Sequence, residues 1–201
     1  MSGPFGSPQW MYASGGFYGF DIESSLRFND DDSAYLTFTP ASAGNRKTWT
    51  YSFWVKRGNL DTNQYFLDQT TGSNDSTYVH LHWYGSTNKL RLSGYNIGVS
   101  TDAVFRDTSA WYHVVFAIDT TQATDTNRIK IYVNGVQQSL SGSYYTLNAD
   151  TPINATSLHR IGGNGNLDGY LAEVNFIDGT ALGPTSFGET KEGIWIPKDT
   201  S

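Results

Sequence analysis

The sequence predicts an all-β protein, a two-sheet antiparallel sandwich preceded by an extended N-terminal arm. Three observations carry this reading. About a dozen short strand-like runs follow one another along the chain, joined by turns of Gly, Asn, Asp, Ser and Thr. The composition is 15% aromatic and only 16% charged, with 21 Gly and 13 Tyr among 201 residues, which suits strands and turns better than helices. Finally, residues 110–135 (AWYHVVFAIDTTQATDTNRIKIYVNG) read as strand, polar connector, strand and tight turn. There, 111–118 is rich in β-branched and aromatic residues, as expected of a strand with little exposed face. Ile129, Ile131 and Val133 then alternate with Lys130, Tyr132 and Asn134, and Asn134-Gly135 supplies the two positive φ angles of a type I′ hairpin.

The chain divides into an arm, 1–22, and a domain, 23–201. In the arm Gly and Ser alternate with Phe5, Trp10, Met11, Tyr12, Phe17, Tyr18 and Phe20 without a period of 2 or 3.6. Such spacing suits either a docking arm laid in a groove of another surface, anchored by Phe5, Trp10, Tyr12, Phe17 and Tyr18, or a tail folded back on its own domain. Strands are expected at 25–28 and 34–39, with Asn29 to Ser33 as the turn between them. The clearest strand of the first half is 47–57, with Trp49, Tyr51, Phe53 and Val55 on one face and Thr48, Thr50, Ser52 and Trp54 on the other. Further strands follow at 64–69, 77–84 and 89–92; in the second, Tyr78, His80, His82 and Tyr84 alternate with Val79, Leu81 and Trp83. Beyond the Asn-Gly turn, 142–156 reads as a long polar loop, 158–162 and 169–178 as closing strands, and 193–197 as a terminal segment anchored by Trp195.

The net charge of −6, with 13 Lys and Arg and no run of them, argues against nucleic acid, because phosphate binding needs clustered cations. Without cysteine, disulfides and thiolate metal sites are out of reach. No apolar stretch approaches the roughly 18 residues of a membrane span, and the N-terminal residues lack the pattern of a signal peptide.

Several segments together resemble a known family. Ser25-Leu26-Arg27-Phe28, TWTYSFWVK (48–56), AWYHVVFAID (110–119), RIKIYVNG (128–135) and LDGYLAEVNFIDG (167–179) occur in the order found in laminin-G-like and pentraxin-like members of the concanavalin-A-like jelly rolls. The matching order covers 24–182. That family hosts lectins, glycosidases, adhesion modules and passive spacers, so the resemblance implies a fold more than a function. The wording of 5–16, 25–60 and 105–124 is similar to structural proteins of tailed bacteriophages, in which the jelly roll sits on the virion. This implies a non-enzymatic capsid-decoration or tail-fibre subunit, synthesised in the host cytoplasm and carried on the virion surface. Its partners would be other virion proteins and further copies of itself. The alternative is an adhesion module that recognises host surface glycans, with or without calcium.

For chemistry, the hydrolases of this fold use carboxylates in an E-x-D-x-E-like run, where i, i+2 and i+4 share one sheet face. The best strand here carries Glu173 and Asp178, five apart and so expected on opposite faces; Asp21 and Glu23 precede the domain's first strand, and Glu189 and Glu192 lie in the C-terminal tail. No catalytic residues are therefore assigned, nor is any cofactor required. Asp30, Asp31 and Asp32 can ligate a hard cation such as calcium, or form a solvated turn. His80 and His82 share a face, where they can hydrogen-bond a sugar or supply half of a metal site. His113 is expected to be a satisfied core histidine and His159 to be exposed or on a strand edge. A glycan site needs an aromatic platform for the sugar ring and polar groups for its hydroxyls. Tyr78, His80, His82, Tyr84 and Arg91 offer such a surface, with Asn88 at its rim; equally, these rings can fill the space between sheets or contact a neighbouring subunit.

Overall fold

The computed structural model describes residues 20–70, 78–164 and 166–199. The docking-arm residues Phe5, Trp10, Tyr12, Phe17 and Tyr18 lie outside the described residues.

Among the described residues fifteen strands run β1 (Leu26–Phe28), β2 (Leu36–Phe38), β3 (Thr48–Arg57), β4 (Gln64–Thr70), β5 (Tyr78–Tyr84), β6 (Lys89–Gly94), β7 (Ile97–Thr101) and β8 (Trp111–Asp119). They continue with β9 (Ile129–Val133), β10 (Val136–Gln137), β11 (Leu140–Ser143), β12 (His159–Ile161), β13 (Gly169–Asp178), β14 (Gly188–Lys191) and β15 (Ile194–Pro197). One sheet has the order β1-β13-β3-β8-β9-β10 and the other β11-β7-β6-β5-β4-β12-β2, with β14 and β15 forming a separate hairpin. The pairings are antiparallel, and the two sheets make the jelly-roll sandwich. No helix among the described residues is long and apolar enough to cross a membrane.

The core is the space between the sheets. From one side come Trp49, Phe53, Val55, Val114 and Phe116, and from the other Phe66, Leu81, Trp83, Leu92 and Val99. Phe53 and Phe66 meet across the gap with ring centroids 4.7 Å apart, a geometry that adds to the burial of both rings. The expected inward face of β3 is thus correct, but its other face is buried too: Thr50, Ser52 and Trp54 are covered. The cover is the β14–β15 hairpin and the loop before it. Trp195 stacks on His113 at 5.8 Å, and Thr50 Oγ1 donates to the Thr180 carbonyl. This explains why β8 reads as apolar throughout.

At the Asn134-Gly135 turn φ is 48° and 80°, as the sequence predicts, and Val136 pairs back to Val133. The Asn134 side chain also accepts the His113 backbone N–H at 2.8 Å, tying the turn to β8.

Four expectations need correction. Strand β7 is missed by the sequence reading because its outward residues, Gly98 and Ser100, give little contrast to the buried Ile97, Val99 and Thr101. Part of the supposed loop 142–156 is strand β11, which pairs with β7 through Gly142 and Ser143. His159 is buried rather than exposed: its Nε2 accepts the Asn154 backbone N–H at 3.1 Å, Phe38 stacks on it, and β2 and β4 flank its strand. In β13 a bulge falls between Ala172 and Asn175, with Glu173 at φ 48°. An extra residue breaks the two-residue alternation, so counting five places does not put Glu173 and Asp178 on opposite faces. Asp178 instead ties the sandwich mouth, accepting from the Asn45 backbone N–H at 2.7 Å and from Asn154 Nδ2 at 2.8 Å.

Candidate functional site

The outward face of the seven-stranded sheet gathers the aromatic and basic residues that the sequence singles out. In β5 the buried Val79, Leu81 and Trp83 point into the core, so Tyr78, His80, His82 and Tyr84 line the other face. Strand β6 adds Lys89 opposite Tyr84, Arg91 opposite His82 and Ser93 opposite His80. From β4, Tyr65 lies opposite His82 and Asp68 opposite His80, and from β12 Arg160 lies opposite Asp68.

The rings form one continuous cluster. Tyr65 is 4.5 Å from His80 and 5.2 Å from His82 between centroids, while Tyr78 is 4.9 Å from His80. The Arg91 guanidinium lies 4.7 Å from the Tyr84 ring centroid, a cation–π contact. A Cβ at Gly98 would come within 2.7 Å of Arg91 Nη2, so the bare glycine on β7 is what leaves room for the guanidinium. His82 Nε2 and Ser93 Oγ share a hydrogen bond of 3.0 Å.

Burial keeps the two histidines neutral. Desolvation, with the Arg160 charge added, pushes His80 down to about 4. Desolvation, with the charges of His80 and Arg91, pushes His82 down to about 3. At neutral pH both rings are therefore uncharged; His80 keeps a donor and an acceptor at the surface, whereas His82 is buried, with Nε2 engaged by Ser93. Arg160 Nη1 donates to Asp68 Oδ2 at 3.1 Å. Burial raises the Asp68 carboxyl above its usual range, an effect that Arg160 opposes. Beside Tyr78 the face runs into a cleft of about 380 Å³ lined by Arg46, Gln69, Tyr95, Tyr144 and Tyr145.

Tyr78, His80, His82, Tyr84 and Arg91 are thus brought together, and Asn88 is not part of their rim. It is 2% exposed. Its Oδ1 accepts from Arg57 Nη2 at 3.0 Å and its Nδ2 donates to Asp61 at 2.7 Å, so it organises the β5–β6 turn. Sequence reasoning missed Tyr65, Asp68 and Arg160. The signal was hidden because β4 carries a bulge between Tyr65 and Leu67, which turns both Tyr65 and Asp68 outward although they are three residues apart.

The three aspartates of the first turn do not make a calcium cage. Asp30 Oδ2 accepts from Asn59 and Asp32 Oδ2 from Asn29, so amide donors face carboxylates that a cation would need. Among the described residues no group of three or more His, Asp or Glu is arranged to hold a metal ion. Glycoside hydrolysis uses two carboxylates about 5–9.5 Å apart. On this face Asp68 is paired with Arg160; Asp150 lines the cleft beside Tyr78, and Asp102 follows β7 at the far edge, where it accepts from Ser141 Oγ, three strand spacings or roughly 14 Å from the strand of Asp68.

A sequence profile of the concanavalin A-like lectin/glucanases superfamily, laminin G type, matches residues 30–185. The chain belongs to that superfamily. Solved structures agree on the fold. A heptameric SAP-like pentraxin from Limulus polyphemus aligns over 79% of this chain and 77% of its own, with a TM-score of 0.50 and 17% identity. Domain 4 of AbnA, an extracellular arabinanase of Geobacillus stearothermophilus solved with arabinotriose, aligns over 79% of this chain and 83% of its own, at TM-score 0.51 and 16% identity. The binding domain of Paraclostridial Mosquitocidal Protein 1 aligns over 82% of this chain but only 42% of its own, at TM-score 0.52 and 16% identity. No curated protein matches the chain at the level of sequence. Within this superfamily the surroundings of the site, not the fold, decide what a member does.

Proposed function

We propose that the chain is a non-catalytic, lectin-like domain that binds glycans on the outward face of its seven-stranded sheet and is displayed on a tailed-phage virion. The observation that carries the binding reading is the continuous cluster of Tyr65, Tyr78, His80, His82 and Tyr84, edged by Arg91. Rings present an apolar surface to the C–H face of a sugar, while the partly exposed His80 imidazole and the Arg91 guanidinium meet its hydroxyls. The arabinotriose complex of the AbnA domain, on the same fold, is consistent with it. Asp68, held in an ion pair by Arg160, supports binding rather than hydrolysis.

The virion setting rests on the wording of 5–16, 25–60 and 105–124. In this reading the domain is made in the host cytoplasm and held on the particle by residues 1–22, against other virion proteins or further copies of itself. No calcium is called for.

A glycan array tests the binding, run on the full chain with calcium and again with chelator. Saturable binding to a defined set of sugars is expected, unchanged by chelator and weakened at least about tenfold by Tyr84→Ala, the loss of one stacking ring and its cation–π partner. A blank array under both conditions removes the reading. Purified particles test the display: cryo-EM density for the chain supports it, and absence of the chain from the particle refutes it.

A further inference from the structure

We propose that this face selects carboxylate-bearing glycans over neutral ones, with Arg91 as the group that receives the carboxylate. The inference rests on the glycan-binding reading and deepens it.

The first support is a local reversal of charge. The protein as a whole carries −6, yet the face presents Lys89, Arg91 and Arg160 against Asp68 alone in strands β4, β5, β6 and β12. Asp102, at the edge beyond β7, accepts from Ser141 Oγ at 2.7 Å. A cationic face on an anionic molecule draws acidic ligands to itself and repels them elsewhere.

The second is the pairing within the face. Arg160 is engaged by Asp68 at 3.1 Å, whereas Arg91 takes part in neither ion pair found among the described residues. Strand β5 stands between the strands of Asp68 and Arg91, placing them two spacings, roughly 10 Å, apart. The Arg91 fork is nonetheless held in place, 4.7 Å from the Tyr84 ring centroid and over Gly98. A positioned guanidinium matches the two oxygens of a carboxylate, and its pre-ordering reduces the entropy lost on binding. The neighbouring His82 is buried, neutral at physiological pH and bonded through Nε2 to Ser93, so it adds no second cation to compete for the anion.

The test uses the full chain and an array on which uronate- and sialate-containing oligosaccharides are printed beside their carboxyl-reduced, neutral counterparts. The acid forms are expected to bind about tenfold or more tightly than the matched neutral forms, and the preference should shrink as salt rises. Arg91→Ala should bring the two forms level while leaving the melting temperature within a degree or so, since the side chain is half-exposed. Gly98→Ala, which moves the guanidinium by crowding its tip, should lower the preference in the same direction. Equal binding of both forms, a preference for the neutral form, or an acid preference that survives Arg91→Ala overturns the inference and leaves the glycan-binding reading standing. Binding of neither form overturns both.

Discussion

Arg57 shows how single residues close one mouth of the sandwich. It is 2% exposed, its Nη1 donates to the Phe105 carbonyl at 2.6 Å and its Nη2 to Asn88 Oδ1 at 3.0 Å, and its guanidinium lies 4.8 Å from the Trp83 ring centroid. Burial pushes its pKa down to about 10, which still leaves it charged at neutral pH. Arg57→Met keeps the bulk over Trp83 but strands the Phe105 carbonyl and leaves Asn88 Oδ1 with only the Asp61 backbone N–H. A loss of about 2–4 kcal/mol is expected, read from the urea midpoint; an unchanged midpoint would show that water replaces the guanidinium without penalty. His113 is a second such residue. Trp195 Nε1 can only donate, and it meets His113 Nδ1 at 3.0 Å, so the ring proton sits on Nε2, facing Ser52 Oγ at 3.0 Å. The sequence marks His113 as a satisfied core histidine, because it sits inside an apolar strand. It does not reveal Trp195 as the partner, which comes from 82 residues away.

Among the elements, the β9–β10 turn is the one most fully written in local sequence, since Asn-Gly alone specifies its backbone. Tertiary structure adds a constraint that local sequence does not carry. A Cβ on Gly135 would lie 2.4 Å from the Trp195 ring, which itself is hydrogen-bonded to His113. Gly135→Ala therefore combines a positive φ with a clash against a ring that cannot easily move. A destabilisation of about 2 kcal/mol or more is expected, measurable by thermal melting; a variant within a few tenths of the parent would mean that the β14–β15 hairpin yields at little cost. Strands β3, β5, β8 and β9 were legible because large apolar residues alternate with, or fill, their faces. Strand β7, with Gly98 and Ser100 outward, and the bulged strands β4 and β13 were not, because a small-residue face or one inserted residue erases the period-2 signal. The same limit governed the site. Tyr78, His80, His82 and Tyr84 follow from alternation within one strand, while Tyr65, Asp68 and Arg160 join them only through register with β5 across strands.

At the scale of the whole molecule, the histidines make stability depend on acid. Unfolded, each titrates near 6.5; folded, burial holds His113 and His80 near 4 and His82 near 3, and lowers His159 as well. Between those values the unfolded chain binds more protons than the folded one. Stability is thus fully present above about pH 6.5 and is lost as pH falls through the window towards 4 and below. His113, 1% exposed, accounts for about 3 kcal/mol of this by itself. Urea midpoints should fall steadily from pH 7 to 4, and His113→Phe, whatever its effect at neutral pH, should flatten that slope; a midpoint constant over the range would falsify the account. The same molecule has two unlike sides. Phe20, Ile22 and Ser25 line a groove with Trp54, Trp111, Trp195 and Pro197 on the six-stranded side, so both ends of the described chain meet on the face opposite Tyr84 and Arg91. A linkage to a sensor chip or bead made through a side chain at 20–25 consequently leaves the aromatic face pointing into solution, and a null result obtained that way cannot be blamed on the attachment.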